Sequence, residues 1–243
     1  MIAAANRRDV RDNRLERQLS GGGTGWTTTF FGVPADGPVE GNDGPQAYLV
    51  EQAPGSCVLP HFHDEDQFQV IVSGGGTLNR RPVRSPAIHY ANRHTAYGPI
   101  IAGPEGLSYF TLRASGAMGA HFLPGAIKLV DRNVPRRQAK AEISPHRQMR
   151  IIEELLAESD DSLAAWSIRA PARSDIRLPA GSGHGGRFLV ILEGQAVLSG
   201  EILDPLGVAY VSDDANVSLL KVSGAGPAHI LLLQMPRVAS VAS

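Results

Sequence analysis

The stretch that decides the fold reads Gly55-Ser-Cys-Val-Leu-Pro-His61-Phe-His63-Asp-Glu-Asp-Gln67-Phe-Gln-Val-Ile-Val-Ser-Gly74. Residues two apart in a strand face the same side, so His61 and His63 can direct both imidazoles into one cavity. Gln67 follows across a short acidic turn, at the start of an apolar strand. Two imidazoles and an amide oxygen suit a divalent ion such as Fe, Mn, Ni, Zn or Cu. The stretch therefore predicts a metal-binding β structure.

Short apolar runs broken by glycine and proline surround this stretch, a pattern typical of β sandwiches and barrels. The predicted strands cover residues 27–31, 47–51, 67–72, 87–90 and 107–113. The run Gly74-Gly75-Gly76 is interpreted as a hairpin turn. Further along, Ser144 can cap a helix with Pro145 at its first position. Apolar residues at helical spacing follow, and they predict a helix over residues 145–158.

An internal repeat relates the two halves of the chain. A shift of 120 residues without gaps aligns identical residues across several predicted strands. The aligned pairs are Phe68 with Phe188, Val70 with Val190, Ile71 with Ile191, Gly74 with Gly194, Leu78 with Leu198, Tyr90 with Tyr210, Gly106 with Gly226 and Leu112 with Leu232. The repeat predicts two copies of one β domain.

The second copy lacks every candidate metal ligand. The positions aligned with His61, His63, Gln67 and His94 hold Gly181, Gly183, Arg187 and Asp214. We interpret this copy as a structural domain that completes the fold or the dimer. Arg187 is interpreted as an exposed or paired arginine, with anion binding near the cavity as the alternative. The run from Gly181 to Gly186 spells G-x-G-x-x-G but leads into a strand, so a glycine-rich turn is favoured over a dinucleotide site.

The quoted stretch resembles the first motif of the cupin superfamily, G-x5-H-x-H-x3,4-E-x6-G. Gly55, His61, His63 and Gly74 match at the family's spacing, and Gln67 stands where the family usually has a metal-binding glutamate. Glu65 is the alternative carboxylate at this point. The resemblance implies a bound divalent metal ion, of an identity that the sequence leaves open.

The family's second motif, G-x5-P-x-G-x2-H-x3-N, is matched poorly by residues 85–97. His94 lies two residues before the position of the third histidine, Tyr97 lies one residue after it, and His89 lies well upstream. We prefer His94, which a small deletion would bring into place, so the predicted ligands are His61, His63, Gln67 and His94. Replacement of the third histidine by His89 or Tyr97 stays open. Tyr97 is also the candidate catalytic acid or hydrogen-bond donor.

The resemblance covers about residues 45–115 and, through the repeat, 165–236. It implies an all-β bicupin: two cupin-type jelly-roll, or double-stranded β-helix, domains, joined by a short helix. The predicted organisation is an N-terminal arm over 1–26, a metal-binding cupin domain over 27–125, a linker with a helix over 126–159 and a degenerate cupin domain over 160–243.

Composition excludes several classes of partner. A net charge of −1 over 243 residues gives no electrostatic reason to expect nucleic acid. No apolar run approaches the roughly 20 residues that span a bilayer, and the N-terminus has no apolar leader core. Cys57 is the single cysteine, so an intrachain disulfide is impossible. We expect a cytoplasmic protein with a small-molecule ligand, and a homodimer that pairs exposed sheet edges.

Two functions stay open at this level. The first is a metal-dependent enzyme acting on a small organic substrate that is anionic or enolisable, because neutral Gln67 in place of glutamate leaves a stronger Lewis acid. The cupin resemblance implies a dioxygenase, isomerase, decarboxylase or lyase, and the dioxygenase is favoured. The alternative is a non-catalytic cupin that binds a small molecule or has a structural role.

Overall fold

The computed structural model describes residues 1–34, 44–116, 119–144, 152–181, 183–215 and 217–237. The chain divides into two compact units: the N-terminal unit is Val10–Ser144, and the C-terminal unit is Met1–Asp9 with Pro145–Ser243. In the described ranges the regular structure is β, interrupted by short 3-10 helices at Arg11–Asn13, Ile127–Leu129 and Asp213–Ala215. None of the helices among these residues is long and apolar enough to cross a membrane.

The N-terminal unit is built on one large antiparallel sheet. Its strands, numbered in chain order along the whole protein, are β2 (Arg14–Gln18), β3 (Thr24–Phe31), β4 (Gln46–Gln52), β5 (Cys57–Val58), β6 (His61–Phe62), β7 (Gln67–Leu78), β8 (Arg81–Arg84), β9 (Ala87–Ala91), β10 (Ile100–Arg113), β11 (His121–Phe122) and β12 (Gln138–Glu142). The sheet has the order β12-β9-β7-β10-β4-β3-β2, with β5 on β10 and β8 on β7, while β11 pairs with β6. All five predicted strands of this half are confirmed.

The C-terminal unit contains two antiparallel sheets. Its strands are β1 (Ile2–Ala5), β13 (Ile152–Leu156), β14 (Ala164–Ala170), β15 (Asp175–Arg177), β16 (Arg187–Glu193), β17 (Ala196–Leu198), β18 (Glu201–Leu203), β19 (Val208–Val211), β20 (Leu219–Val222) and β21 (Ala228–Gln234). Their orders are β1-β19-β16-β21-β14-β13 and β15-β20-β17-β18. Apolar side chains from both sheets, among them Ile168, Leu189 and Leu220, form one buried core, as in packed sheets that each bury one face.

The two units share a ring pair at the same place in their sheets. Phe68 on β7 faces Tyr90 on β9, with ring centroids 5.2 Å apart. Phe188 on β16 faces Tyr210 on β19, with centroids 5.0 Å apart. The shift of 120 residues therefore aligns residues that occupy equivalent strand pairings in the two units.

One residue is added before the last strand of the repeat. Leu112 on β10 faces Phe68, whereas Leu233 on β21 faces Phe188. The shift between these two strands is therefore 121 residues and not 120. An ungapped comparison pairs Leu112 with Leu232 and is one residue out of register on this strand.

The helix predicted over residues 145–158 is wrong where the structure describes it. Ile152–Leu156 form β13, an edge strand that pairs with β14, and residues 145–151 lie outside the described residues. A register shift between Glu154 and Leu156 leaves the consecutive Leu155 and Leu156 both partly buried. A bulge of this kind breaks the alternation of a strand and imitates helical spacing in the sequence.

The hairpin turn predicted at Gly74-Gly75-Gly76 is also wrong, because these glycines lie inside β7. A Cβ atom at Gly76 would lie 2.0 Å from the carbonyl oxygen of Ile101 on β10. Gly74 has φ +70°, and a Cβ atom there would lie 2.2 Å from the carbonyl oxygen of Gly106. β7 and β10 pair antiparallel with a register irregularity at these glycines, which let the two backbones approach closely. Glycine is common both at such irregularities and in turns, so the sequence does not distinguish them.

The barrel, which the short apolar runs also predict, is wrong, because the strand orders over the described ranges are open paths.

The segment over 1–26, predicted as an arm, contributes β1 to the C-terminal unit, where Ala3 faces Tyr210. It also contributes β2 to the N-terminal unit, where Leu15 faces Thr27. Backbone pairing recruits this segment although its sequence carries no apolar periodicity. The homodimer stays a prediction.

A matched pair of glycine substitutions tests how closely the backbones of β7 and β10 approach each other. Gly55 and Gly74 have similar φ values, +72° and +70°, but a Cβ atom at Gly55 meets nothing within 4 Å. We expect Gly55→Ala to cost about 1 kcal/mol, the cost of left-handed backbone alone, and Gly74→Ala to cost about 3 kcal/mol or more. Urea unfolding followed by Trp26 fluorescence, in a Trp166→Phe background, measures both. Equal losses of unfolding free energy in the two variants would show that the backbone approach at Gly74 leaves room for a Cβ atom.

Candidate functional site

The first two predicted ligands lie together in the N-terminal unit. His61 and His63 are 4% and 7% exposed, and their rings meet edge to face with centroids 5.1 Å apart. Phe62 between them is fully buried and stacks on the ring of His121 at 4.9 Å. Strand alternation thus separates the two imidazoles from the intervening phenyl ring, and the predicted pairing of His61 and His63 is present.

The hydrogen bonds of His61 define its tautomer. Nδ1 lies 2.7 Å from the carbonyl oxygen of Leu59 and therefore carries the proton. Nε2 is left with its lone pair and accepts from the hydroxyl of Tyr97 at 2.9 Å. Burial lowers the pKa of His61 to about 4, with a further contribution from the charge of Arg113. A neutral imidazole that donates its other nitrogen to a carbonyl is the form that ligates metals.

Tyr97 contacts both His61 and Gln67. These three side chains and His63 are called the cluster below. An isolated antiparallel bridge pairs its backbone with that of His61, so the two side chains are neighbours, with ring centroids 4.5 Å apart. The amide nitrogen of Gln67 donates to the Tyr97 oxygen, and the phenol in turn donates to His61. Burial raises the pKa of Tyr97, so the hydroxyl keeps its proton at neutral pH.

A fully buried arginine, which the sequence reasoning missed, holds the Gln67 amide in place. Arg113 is 0% exposed, and its Nε and Nη2 donate to Gln67 Oε1 at 3.1 and 2.8 Å. Its Nη1 donates to Gln46 Oε1 at 2.6 Å, and Nη2 also reaches the hydroxyl of Tyr48 at 3.3 Å. These partners, the ones recorded among the described residues, are neutral. The Gln67 oxygen is thereby turned away from the histidines.

His94 lies apart from this cluster. Its ring packs against Phe62 at 5.6 Å, and its Nδ1 lies 4.0 Å from a carboxylate oxygen of Asp64. Its backbone N–H donates to the carbonyl oxygen of His63 at 2.8 Å, and its φ is +57°. The structure therefore brings together His61, His63, Gln67 and Tyr97 but places His94 beside the ring that alternates with the two histidines.

The two other candidates from the sequence, His89 and Glu65, contact neighbouring polar side chains. The ring nitrogens of His89 lie 2.9 Å from Gln69 Oε1 and 3.1 Å from Gln138 Oε1. Burial lowers the pKa of His89 to about 4. Glu65 accepts a hydrogen bond from Ser115 at 2.8 Å, and burial raises its pKa.

Three groups of this cluster carry lone pairs of a kind that suits a divalent cation. They are Nε2 of His61, the imidazole of His63 and the hydroxyl oxygen of Tyr97. Nδ1 of His63 is buried without a hydrogen-bond partner in the described ranges, and a buried polar atom of this kind needs an explanation such as an ion. The same is true of Nδ1 of His94, outside the cluster. Among the described residues no group of three His, Cys, Asp or Glu side chains can hold a metal, so the set is complete only with the phenol. Gln67 does not fit in this arrangement, because Arg113 holds its oxygen.

The architecture defines an all-β protein with the cupin fold, and solved structures bear this out. The nickel(II)-bound pirin YhhW of Escherichia coli aligns over 98% of this chain and 100% of its own, with TM-score 0.62 and 8% identity. A proposed dioxygenase of Nostoc punctiforme aligns over 100% and 85%, with TM-score 0.60 and 10% identity. Oxalate decarboxylase of Bacillus subtilis, a protein with Mn(II) centres, aligns over 99% and 78%, with TM-score 0.57 and 12% identity. No family model and no curated protein matches the sequence.

Substitution of the buried arginine tests its hold on the site. Lysine keeps the charge at position 113 but cannot donate in a planar fork to Gln67 and Gln46 together. We expect Arg113→Lys to lower the free energy of unfolding by about 2–3 kcal/mol, because buried amide oxygens lose their donors. The control is the same change at exposed Arg84, which we expect to be nearly neutral. Urea unfolding followed by Trp26 fluorescence makes the comparison, and equal effects at both sites would contradict it.

Proposed function

We propose that the chain is a bicupin whose N-terminal unit holds a divalent metal through His61, His63 and Tyr97. We propose further that this centre transforms a small organic substrate. The observation that carries the proposal is the lone pair on His61 Nε2, directed at the Tyr97 oxygen 2.9 Å away and flanked by the ring of His63. The nickel and manganese found in proteins of this fold support it.

The strand orders support two jelly-roll halves. The six-strand run β12-β9-β7-β10-β4-β3 of the N-terminal unit corresponds to β1-β19-β16-β21-β14-β13 of the C-terminal unit. The ring pairs Phe68–Tyr90 and Phe188–Tyr210 occupy matching positions in these runs. The C-terminal half has glycines where the sequence repeat aligns the two histidines, which is why we assign the metal to the N-terminal half alone.

Each side chain of the cluster has a definite task in this proposal. The Leu59 carbonyl holds the proton of His61 on Nδ1 and so presents Nε2. Gln67 orients the phenol of Tyr97, and Phe122, whose ring centroid is 5.5 Å from that of His61, shields the imidazole from water on one side. A bound divalent ion would supply Lewis acidity and, if redox-active, access to dioxygen.

The charge around the cluster favours an anionic substrate. The donors His61 and His63 are neutral imidazoles, and the only fixed charge in hydrogen-bond contact with the cluster, among described residues, is the guanidinium of Arg113. Positive potential in a water-poor site attracts a carboxylate or an enolate. We propose dioxygen-dependent oxidation of such a substrate as the reaction, ahead of isomerisation, decarboxylation and lyase chemistry.

A second candidate is a non-catalytic cupin. The hydrogen bonds from Arg113 to Gln67, from Gln67 to Tyr97 and from Tyr97 to His61 are complete without any ligand. Such a chain of bonds can serve stability alone. Dioxygen uptake by the metal-loaded protein, screened over small carboxylic acids, separates the two candidates: turnover supports the enzyme, and metal binding without turnover supports the binding protein.

Elemental analysis tests the metal centre itself. We expect protein purified without added metal to contain one divalent ion per chain, and the double variant His61→Ala, His63→Ala to contain none while remaining folded. The matched control is His184→Ala in the C-terminal unit, which we expect to leave the metal content unchanged. Stoichiometric metal in the double variant, or its loss in the control, would place the metal elsewhere.

The third ligand is tested by single substitutions. Because Tyr97 and not His94 lies beside His61, we expect Tyr97→Phe to weaken metal binding by about tenfold or more, within the range seen when metal sites lose supporting groups. We expect His94→Ala to leave the affinity unchanged. Competition with a chromophoric chelator measures both constants. Weaker metal binding in His94→Ala, with unchanged binding in Tyr97→Phe, would show that the ligand is His94, as the motif spacing predicts.

A further inference from the structure

The C-terminal unit contains the arginine–glutamine pair of the N-terminal unit with the two partners exchanged between strands. In the N-terminal unit Gln67 lies on β7 and Arg113 on β10. In the C-terminal unit Arg187 lies on β16 and Gln234 faces it on β21. Here too Nε and Nη2 of the arginine donate to one amide oxygen, at 2.9 and 2.6 Å. The exchange moves the guanidinium to the strand that corresponds to β7.

A glycine makes room for the relocated guanidinium. The sequence repeat aligns Gly181 with His61, and a Cβ atom at Gly181 would lie 2.1 Å from Nη2 of Arg187. The same Cβ atom would lie 2.5 Å from the oxygen of Gln234. The guanidinium therefore takes space that any side chain at this position would need. A permanent cation lies where the aligned segment of the N-terminal unit presents imidazole lone pairs.

The carboxylate nearest to this guanidinium is engaged by other groups. Asp213 accepts from Nε2 of His184 at 3.1 Å through one oxygen and from the backbone N–H of Gly183 at 3.0 Å through the other. Nδ1 of His184 accepts from the N–H of Gly186 at 2.9 Å, so the imidazole is the neutral tautomer with its proton on Nε2. Burial lowers the pKa of His184, which agrees with this neutral form.

Arg187 retains donors for a ligand. Three of its five N–H groups are used, two on Gln234 and one on the carbonyl oxygen of Pro179 at 2.9 Å. Among the described residues this leaves one N–H on each terminal nitrogen. Glu158 and Asp213 both act electrostatically on Arg187, and Glu158 accepts a hydrogen bond from the amide nitrogen of Gln234 at 3.2 Å. No described carboxylate is hydrogen-bonded to the guanidinium.

A cavity of about 210 Å³ adjoins these groups. Its lining includes Arg177, Arg187, His184, Asp213 and Ser218. Two arginines against one carboxylate give the lining a net positive charge. The cavity is smaller than the roughly 300–1,000 Å³ of sites for drug-sized ligands, so it suits an anion of few atoms.

We propose that the C-terminal unit binds a small oxyanion, a carboxylate or a phosphate, through the guanidinium of Arg187, with Arg177 adding positive charge at the same cavity. Both anions match the planar N–H donors of arginine. The unit that lacks the metal ligands is then a binding domain in its own right. The proposal does not depend on a metal in the N-terminal unit.

Isothermal titration of the full chain in a zwitterionic buffer of low ionic strength tests the site. The probes are inorganic phosphate, acetate and succinate, each titrated separately. We expect saturable binding of one anion per chain for at least one probe, and a loss of tenfold or more in affinity for Arg187→Gln. Arg177→Gln, which leaves the pair with Gln234 intact, should weaken binding severalfold and keeps the test valid if Arg187→Gln fails to fold. Lys221→Gln, an equal loss of charge at an exposed position of the same unit, should change nothing.

The same titration also identifies the class of anion and can overturn the proposal. Binding of phosphate alone assigns a phosphoryl ligand, and binding of acetate or succinate alone assigns a carboxylate. The absence of saturable heat at about 10 mM anion, beyond the millimolar range of weak ligands, would overturn the proposal. So would equal binding by Arg187→Gln and the unmodified chain. Loss of binding in the variant His61→Ala, His63→Ala, with binding kept in Arg187→Gln, would move the anion to the N-terminal unit and overturn it as well.

Discussion

The bond between a buried guanidinium and an amide oxygen is the constraint on which the N-terminal site depends. A charge that is taken out of water is tolerated only when its donors are satisfied, and Arg113 meets this condition with neutral acceptors, chiefly Gln67 and Gln46. Because the guanidinium takes the oxygen of Gln67, the amide nitrogen has to face Tyr97. The phenol can then donate only to His61. One buried charge therefore fixes the direction of a whole row of hydrogen bonds.

The position of this charge differs between the two units, and the different ligands that we propose for them follow from that difference. On β10 the guanidinium of Arg113 is separated from His61 by the Gln67 amide and the Tyr97 phenol, so the lone pair of His61 faces a neutral hydroxyl at the place where we propose a cation. On β16 the guanidinium of Arg187 lies against Gly181, at the place where we propose an anion. The strand pairing and the fork of hydrogen bonds are the same in both units. The exchange of an arginine and a glutamine across one pair of strands, together with glycine in place of His61, is the difference on which the two proposed ligands of opposite charge rest.

Sequence patterns predicted the parts of this arrangement that follow from strand alternation. The apolar runs gave the main strands of the N-terminal unit, and the spacing of His61 and His63 placed two imidazoles together. Arg113 escaped notice because a charge at the end of an apolar run is ordinarily a strand boundary that faces solvent. Its counterpart Gln234 was hidden for another reason. The inserted residue before β21 makes the ungapped shift align Arg113 with Leu233, so the exchanged pair becomes visible only through strand register.

The choice between His94 and Tyr97 as a candidate ligand shows why spacing alone fails near a turn. A count of residues assumes that the chain continues in one conformation, but His94 has φ +57°, and the strand-like bridge to His61 begins only with Tyr97. Because the chain turns at His94 and becomes strand-like only at Tyr97, three residues later, the phenol and not the imidazole reaches His61. This has a chemical consequence for the proposed ligand set, since a phenol binds a metal strongly only after it loses its proton. Burial raises the pKa of Tyr97, whereas the charge of Arg113 acts to lower it. The charge of Arg113 offsets the effect of burial only in part, so the phenol keeps its proton at neutral pH and has to lose it when a metal binds.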